Sequence, residues 1–129
     1  MNSPTSSAPV LRLDYLEFAT HDVAAAGKFY TAAFGWTFTD YGPDYTSFTD
    51  GRLSGGFFNN LAAPTRTNPL AVLFAADLES AERRVLAAGG TITKPAFDFP
   101  GGRRFHFADP TGLELSVWSD RRADGTTIS

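Results

Sequence analysis

The chain has 129 residues, 43% of them apolar and 19% charged, with 12 phenylalanines and a formal net charge of −3. This is enough for one domain with its own core, and it lacks the basic run that marks a nucleic-acid footprint. With no cysteine, disulfides, thiolate metal sites and cysteine nucleophiles are excluded.

The opening "MNSPTSSAP" has neither the basic nor the apolar segment of a secretory signal and reads as a disordered tail over residues 1–10. A cytoplasmic setting is therefore expected. No apolar run is long enough to span a bilayer, so no membrane partner is expected either. Residues 11–19, "LRLDYLEFA", alternate as a strand, with Tyr15 and Glu17 on one face and Leu16 and Phe18 on the other. Asp22 can cap a helix over 22–34, and Gly35 supplies its stop. Three short strands follow at "WTFTDY", "YTSFTD" and "LSGGFF", separated by Gly, Pro and Asp turns. The order is β-α-β-β-β, over about 11–60.

That order recurs over 68–119. "LAVLFAA" is a strand, Asp77 caps a helix over 77–88, and Gly89-Gly90 end it. Strands follow at "TITKPAF", "RRFHFAD" and "ELSVWS". A shift of 55 residues places Asp22 on Asp77, Ala26 on Ala81 and Gly35 on Gly90. The pattern predicts an internal duplication, two modules building one domain over 11–119. A ferredoxin-like unit would need one strand fewer in each half. Residues 120–129, with "ADGTTIS", read as a second disordered tail. One helix cannot cover both faces of four strands, so each sheet keeps an open face. Two sheets side by side would form a cup lined by alternate residues.

"LDYLEFATHDVAAAGKFYTAAFGW" and "FADPTGLELSVW" resemble the glyoxalase / bleomycin resistance protein / extradiol dioxygenase superfamily, the vicinal oxygen chelate fold. The resemblance covers roughly residues 11–119. It implies an α+β domain of two tandem βαβββ modules with a concave mixed-sheet cup. It also implies, in the metal enzymes, His, Gln or Glu ligands at four pseudo-symmetric corners. In the family spacing, the first-strand ligand stands seven residues before the helix-capping Asp, at Tyr15 and Leu70. The last-strand ligand stands four after the turn glycine, at Ser116 and, by the repeat, at Gly55. Leu and Gly offer no ligand atom, and Tyr and Ser are poor ones for a divalent ion. No metal and no other cofactor are expected at the usual site.

Glu17 and Glu114 each stand two residues from a corner, so they share its face; His106 does so by family analogy, with Ser47 its counterpart in the first module. Glu17, His106 and Glu114 together are a two-carboxylate, one-histidine ligand list, so a displaced divalent metal is the lesser expectation. Plain readings stand beside these: Glu114 paired with Arg103 or Arg104, His106 bonded across the sheet, His21 in a local loop contact. Trp36, Phe38, Phe29, Phe34, Phe105 and Phe107 are expected in the core. Tyr15, Glu17, Phe57, His106, Glu114, Ser116 and Trp118 are expected to line one pocket, apolar-walled with a few polar anchors. Pro100-Gly101-Gly102 reads as a flexible hairpin, a candidate lid. Two functions follow. One is a metal-independent binder of a small aromatic molecule, an amine-bearing one if Glu17 is its anchor. The other is a lyase, isomerase or dioxygenase-type enzyme using Glu17 and His106 for proton transfer or a displaced metal. A homodimer is the expected assembly, by the family's habit.

Overall fold

A computed structural model describes residues 13–62 and 70–128. The expected tail at 1–10 lies outside them. The elements run β1 (Tyr15–Thr20), α1 (Val23–Phe34), β2 (Thr37–Asp40), β3 (Tyr45–Thr49), β4 (Ser54–Asn59), β5 (Val72–Phe74), α2 (Leu78–Ala87), β6 (Thr91–Phe99), β7 (Gly102–Ala108) and β8 (Glu114–Ser119). This is the expected duplicated βαβββ order.

Local chemistry sets the helix limits. Asp22 accepts from the Ala25 amide at 3.0 Å and Asp77 from the Ser80 amide at 3.0 Å, each satisfying a donor that the first helical turn leaves open. Gly35 closes α1 at φ 75°, a left-handed backbone that glycine adopts without strain. Val23, Ala26, Phe29, Tyr30 and Ala33 form the buried stripe of α1, and Leu78, Ala81 and Val85 that of α2.

The strands form two four-stranded mixed sheets, ordered β1-β4-β3-β2 and β5-β8-β7-β6. In each, the first strand pairs parallel with the last and the remaining pairs are antiparallel. Strand pairing among the described residues stays within each sheet. The sheets are joined through their helices. Phe29 and Phe34 of α1 each meet Phe107 of β7 with ring centroids 5.9 Å apart. On the other side, Tyr30 stacks on Trp36 at 4.8 Å and on Phe57 at 5.2 Å. One core therefore takes in Phe48 and Phe57 of the first sheet and Phe105, Phe107, Leu115 and Val117 of the second. Each sheet turns its opposite face outward.

A buried polar bond ties the modules. The Tyr30 hydroxyl donates to Asp109 Oδ2 at 3.1 Å. Asp109 Oδ1 accepts from the Thr111 amide and hydroxyl, both at 2.8 Å, and from the Leu113 amide at 3.0 Å. Burial, and then the Asp109 charge and hydrogen bond, hold the Tyr30 phenol well above its ordinary range.

Two expectations change. Residues 120–128 are not a loose tail: Asp124 accepts from the Thr126 amide and hydroxyl, and Arg121 bridges Thr127 around the Asp124-Gly125 turn. Arg103 Nε donates to the Arg121 carbonyl at 3.0 Å, fixing this turn to β7. Arg103 itself forks onto Glu79 of α2 at 2.7 and 3.1 Å, so it is not the partner of Glu114.

Tyr30→Phe keeps the ring stack but leaves a buried carboxylate oxygen without its donor. It should cost about 1.5–3 kcal/mol, read as a lower urea midpoint with an unchanged slope. An unchanged midpoint would show that the bond contributes nothing.

Candidate functional site

The outer face of the first sheet collects Tyr15 and Glu17 from β1, Tyr45, Ser47 and Thr49 from β3, and Ser54, Gly56 and Phe58 from β4. The register Glu17–Gly56–Ser47 across the three strands places them. Tyr45 reaches over Gly56 and donates to Glu17 Oε2 at 3.0 Å. Since a carboxylate only accepts, the 2.5 Å contact between the Tyr15 and Tyr45 hydroxyls has Tyr15 as donor. A Cβ on Gly56 would overlap the Tyr45 hydroxyl, so this position must be glycine for the relay to form. The space over Gly56 is taken by Tyr45. Desolvation, then the bonds to Tyr15 and Glu17, push the Tyr45 phenol well above its ordinary range. Beside the relay lies an open depression of about 580 Å³ bordered by Tyr15, Thr39, Tyr41 and Ser54.

Phe57 is not on this face. It is fully buried and stacks on Tyr30 and Phe18. The expectation counted from the turn glycines, and these are not equivalent. Asp50 N bonds Leu53 O, whereas Asp109 N bonds Leu113 O, one residue further along. Leu53 therefore answers Leu113, and Gly56, not Gly55, answers Ser116. One residue of slip moves every β4 side chain to the other face. Gly55 points at the Phe48 ring in the core, and Phe58 takes the outer place expected for Phe57.

The outer face of the second sheet holds His106, Glu114, Ser116 and Trp118 in register with Val72 and Phe74 of β5. His106 Nδ1 lies 3.2 Å from Glu114 Oε2, which also accepts from the Thr93 hydroxyl at 3.0 Å. Ser116 is fully buried and donates to the Phe105 carbonyl at 3.0 Å, so its hydroxyl is a strand-locking group. Trp118 lies edge-on to Phe74 at 5.2 Å and near Phe99 at 6.2 Å. Beside them Lys94 sits 4.5 Å from the Phe97 ring centre, and Arg104 sits 5.3 Å from it. Tyr45, Phe97 and Phe99 were not named by the sequence reading, and Arg104 was named only as a partner for Glu114. The period-2 alternation with Ser47 and His106 was the signal for Tyr45 and for the face of Arg104; the strand at "TITKPAF" was legible, but not the register of β6, which shifts twice between Ile92 and Phe97.

The expected pocket thus exists as two groups: Tyr15 and Glu17 on one sheet, His106, Glu114, Ser116 and Trp118 on the other. Within the chain they are on outer faces of different sheets. The donors at the four corners do not fit a divalent metal. Tyr15 is tied to Tyr45, the β4 position is glycine, Leu70 has no donor, and the Ser116 hydroxyl is committed to a carbonyl. No group of three or more His, Asp or Glu converges among the described residues.

A family model described as "Glyoxalase/Bleomycin resistance protein/Dioxygenase superfamily" matches residues 12–117. The chain belongs to that superfamily. It is 31% identical over 128 residues to a Mycobacterium bovis protein named "Putative glyoxylase CFP32", covering 89% of this chain and 48% of that one. It is 31% identical over 135 residues to the anthracycline biosynthesis protein DauV of Streptomyces sp. strain C5, covering 89% and 49%. The chain therefore spans about half the length of these curated relatives. Among solved structures, a superfamily enzyme from Burkholderia phytofirmans superposes with a TM-score of 0.71 at 18% identity, covering 82% of this chain and 96% of that one. A lactoylglutathione lyase from Agrobacterium tumefaciens superposes at 0.68 and 18% identity, covering 87% and 96%. These two likenesses fix the fold. No described helix is long and apolar enough to cross a membrane.

Alkaline titration followed by tyrosinate absorbance should show Tyr30 and Tyr45 ionising late, and Tyr45→Phe should remove one of the two late components. Both phenols hold their protons to a higher pH folded than unfolded. Their contribution to stability is thus present below about pH 10 and lost as pH rises through the folded-state values. Gly56→Ala should displace Tyr45 and abolish its late ionisation; a spectrum like the wild type would refute the crowding.

Proposed function

We propose that this protein binds a small aromatic molecule without the superfamily's four-corner metal, in a pocket walled by the outer faces of both sheets. The corner donors carry this reading: a carbon, a glycine and two committed hydroxyls leave nothing to hold the ion. Trp118, Phe74 and Phe58 supply aromatic wall, and Glu17 supplies an anchor for a cationic or amine group. The likeness to a protein named for anthracycline biosynthesis is in keeping with an aromatic ligand.

The two walls come together between two copies of the chain. Among the described residues β1 and β5, like β2 and β6, each pair on one side alone, which leaves sheet edges for a partner strand. Val72 and Phe74 of β5 are 45% and 55% exposed, apolar surface that a second copy would cover. Relatives of about twice this length are in keeping with a site that needs two such units. The setting is cytoplasmic, with no nucleic-acid or membrane partner.

A second reading, an enzyme using Glu17 and His106 for proton transfer, is favoured by the His106–Glu114 pair. In its metal form, Glu17 of one copy would have to join His106 and Glu114 of another.

Native mass spectrometry of protein purified without added metal should give a dimer without stoichiometric metal. Dialysis-resistant zinc, nickel or iron lost on His106→Ala would favour the enzyme. An aromatic amine should quench Trp118, since Trp36 is buried in the core. Glu17→Gln should weaken that binding about tenfold or more, with no turnover in either form. Unchanged affinity, or a monomer, would remove the corresponding half of the proposal.

A further inference from the structure

His106 Nε2 and Arg104 Nε are both buried and without a hydrogen-bond partner among the described residues. They stand two residues apart on β7, so they share the outer face, roughly 7 Å apart along the strand. Phe97 lies against both, its ring centre 6.0 Å from that of His106 and 5.3 Å from the Arg104 guanidinium. A buried polar atom left without a partner is costly, and two neighbouring ones beneath one ring call for a reason. The ring comes from β6, the strand with two register shifts, so the cover rests on the least regular edge of the sheet.

The bonding at the other ring nitrogen fixes the chemistry. Glu114 accepts at Nδ1, so in the neutral imidazole the proton sits there and Nε2 presents a bare lone pair. Lys94, opposite His106 in register, and Arg104 are the cations on this face. They favour an anion beside the ring.

We propose that this face receives the ionisable hydroxyl of an aromatic ligand, the O–H proton passing to His106 Nε2 and the resulting oxyanion resting beside Arg104 Nε. The ligand ring takes the place of Phe97 next to Trp118 and Phe99. The step needs no co-reactant: the O–H bond breaks, an N–H bond forms, and its electron pair stays on the ligand oxygen. It rests on the aromatic-binding reading above and assigns that site a preference for phenols and enols over their ethers.

The test compares 4-nitrophenol with 4-nitroanisole, which lacks the proton, on the intact protein. Nitrophenol should bind at least tenfold more tightly and show its phenolate band at a pH where the free compound is largely protonated. His106→Gln, which can bond but not take the proton, should abolish the band. Because that variant also alters the bond to Glu114, side-chain nitrogen NMR of the wild-type protein provides the second readout. His106 should carry its proton on Nδ1 when free and become doubly protonated when nitrophenol saturates the site. Equal binding of phenol and ether with Trp118 quenched overturns the proton acceptor and leaves aromatic binding standing. Binding of neither compound overturns both, and a neutral His106 with its proton on Nε2 overturns the dyad by itself.

Discussion

Asp109 accepts four hydrogen bonds, and the placement of both modules depends on it. Three of its donors come from its own turn, and they shape the entry to β8. The fourth comes from Tyr30 of α1, in the other module. The carboxylate is almost wholly buried, so each donor that is lost raises the cost of keeping it there. Hydrophobic burial alone would let α1 slide across Phe107. The Tyr30 hydroxyl sets one position, and the Trp36–Tyr30–Phe57 stack carries that position to the first sheet. The helices consequently occupy the middle of the molecule, and the outer faces are left for a ligand.

Most of this architecture was legible in the sequence because its signals are local. An aspartate before an apolar stripe and a glycine after it bound each helix, and both helices end within a residue of where those signals put them. The duplication was equally plain, since Asp22 and Asp77 perform the same act. What failed was a count. The two turns before β4 and β8 look alike in glycine and aspartate, yet their closing bonds differ by one residue. A period of two turns that single residue into a change of face, which is why Phe57 was expected outside and lies in the core. The Asp124-Gly125 turn was misread for a related reason: polar composition suggested disorder, but Asp124 organises its own loop.

The site was less legible than the fold. Glu17, Glu114 and Trp118 follow from alternation and His106 from the family likeness, and all four stand on outer faces. Their grouping does not follow, because it depends on how the modules meet through Phe29, Phe34 and Phe107. Tyr45 was hidden by a different circumstance. It reaches Glu17 only because Gly56, on the strand between them, has no side chain, a diagonal contact that no one-strand pattern contains.

The duplication also explains why the two walls are unlike. Residues facing the helices answer to one shared core, so both modules keep bulky apolar side chains there, Phe48 and Phe57 in the first sheet and Phe105, Phe107, Leu115 and Val117 in the second. Residues facing outward pack only against neighbours of their own sheet among the described residues, as Trp118 does on Phe74 and Phe99, and so answer to no shared core. The first face became hydroxyl-rich, with Tyr15, Tyr45, Ser47 and Thr49 around one carboxylate. The second gathered cations and rings, with Lys94, Arg104, Phe97, Phe99 and Trp118 around the His106–Glu114 pair. In the proposed two-copy site, a ligand between these faces would meet donors and a negative charge on one side, and a proton acceptor beside positive charge on the other. It would then be bound in one orientation, a discrimination that two identical faces could not provide.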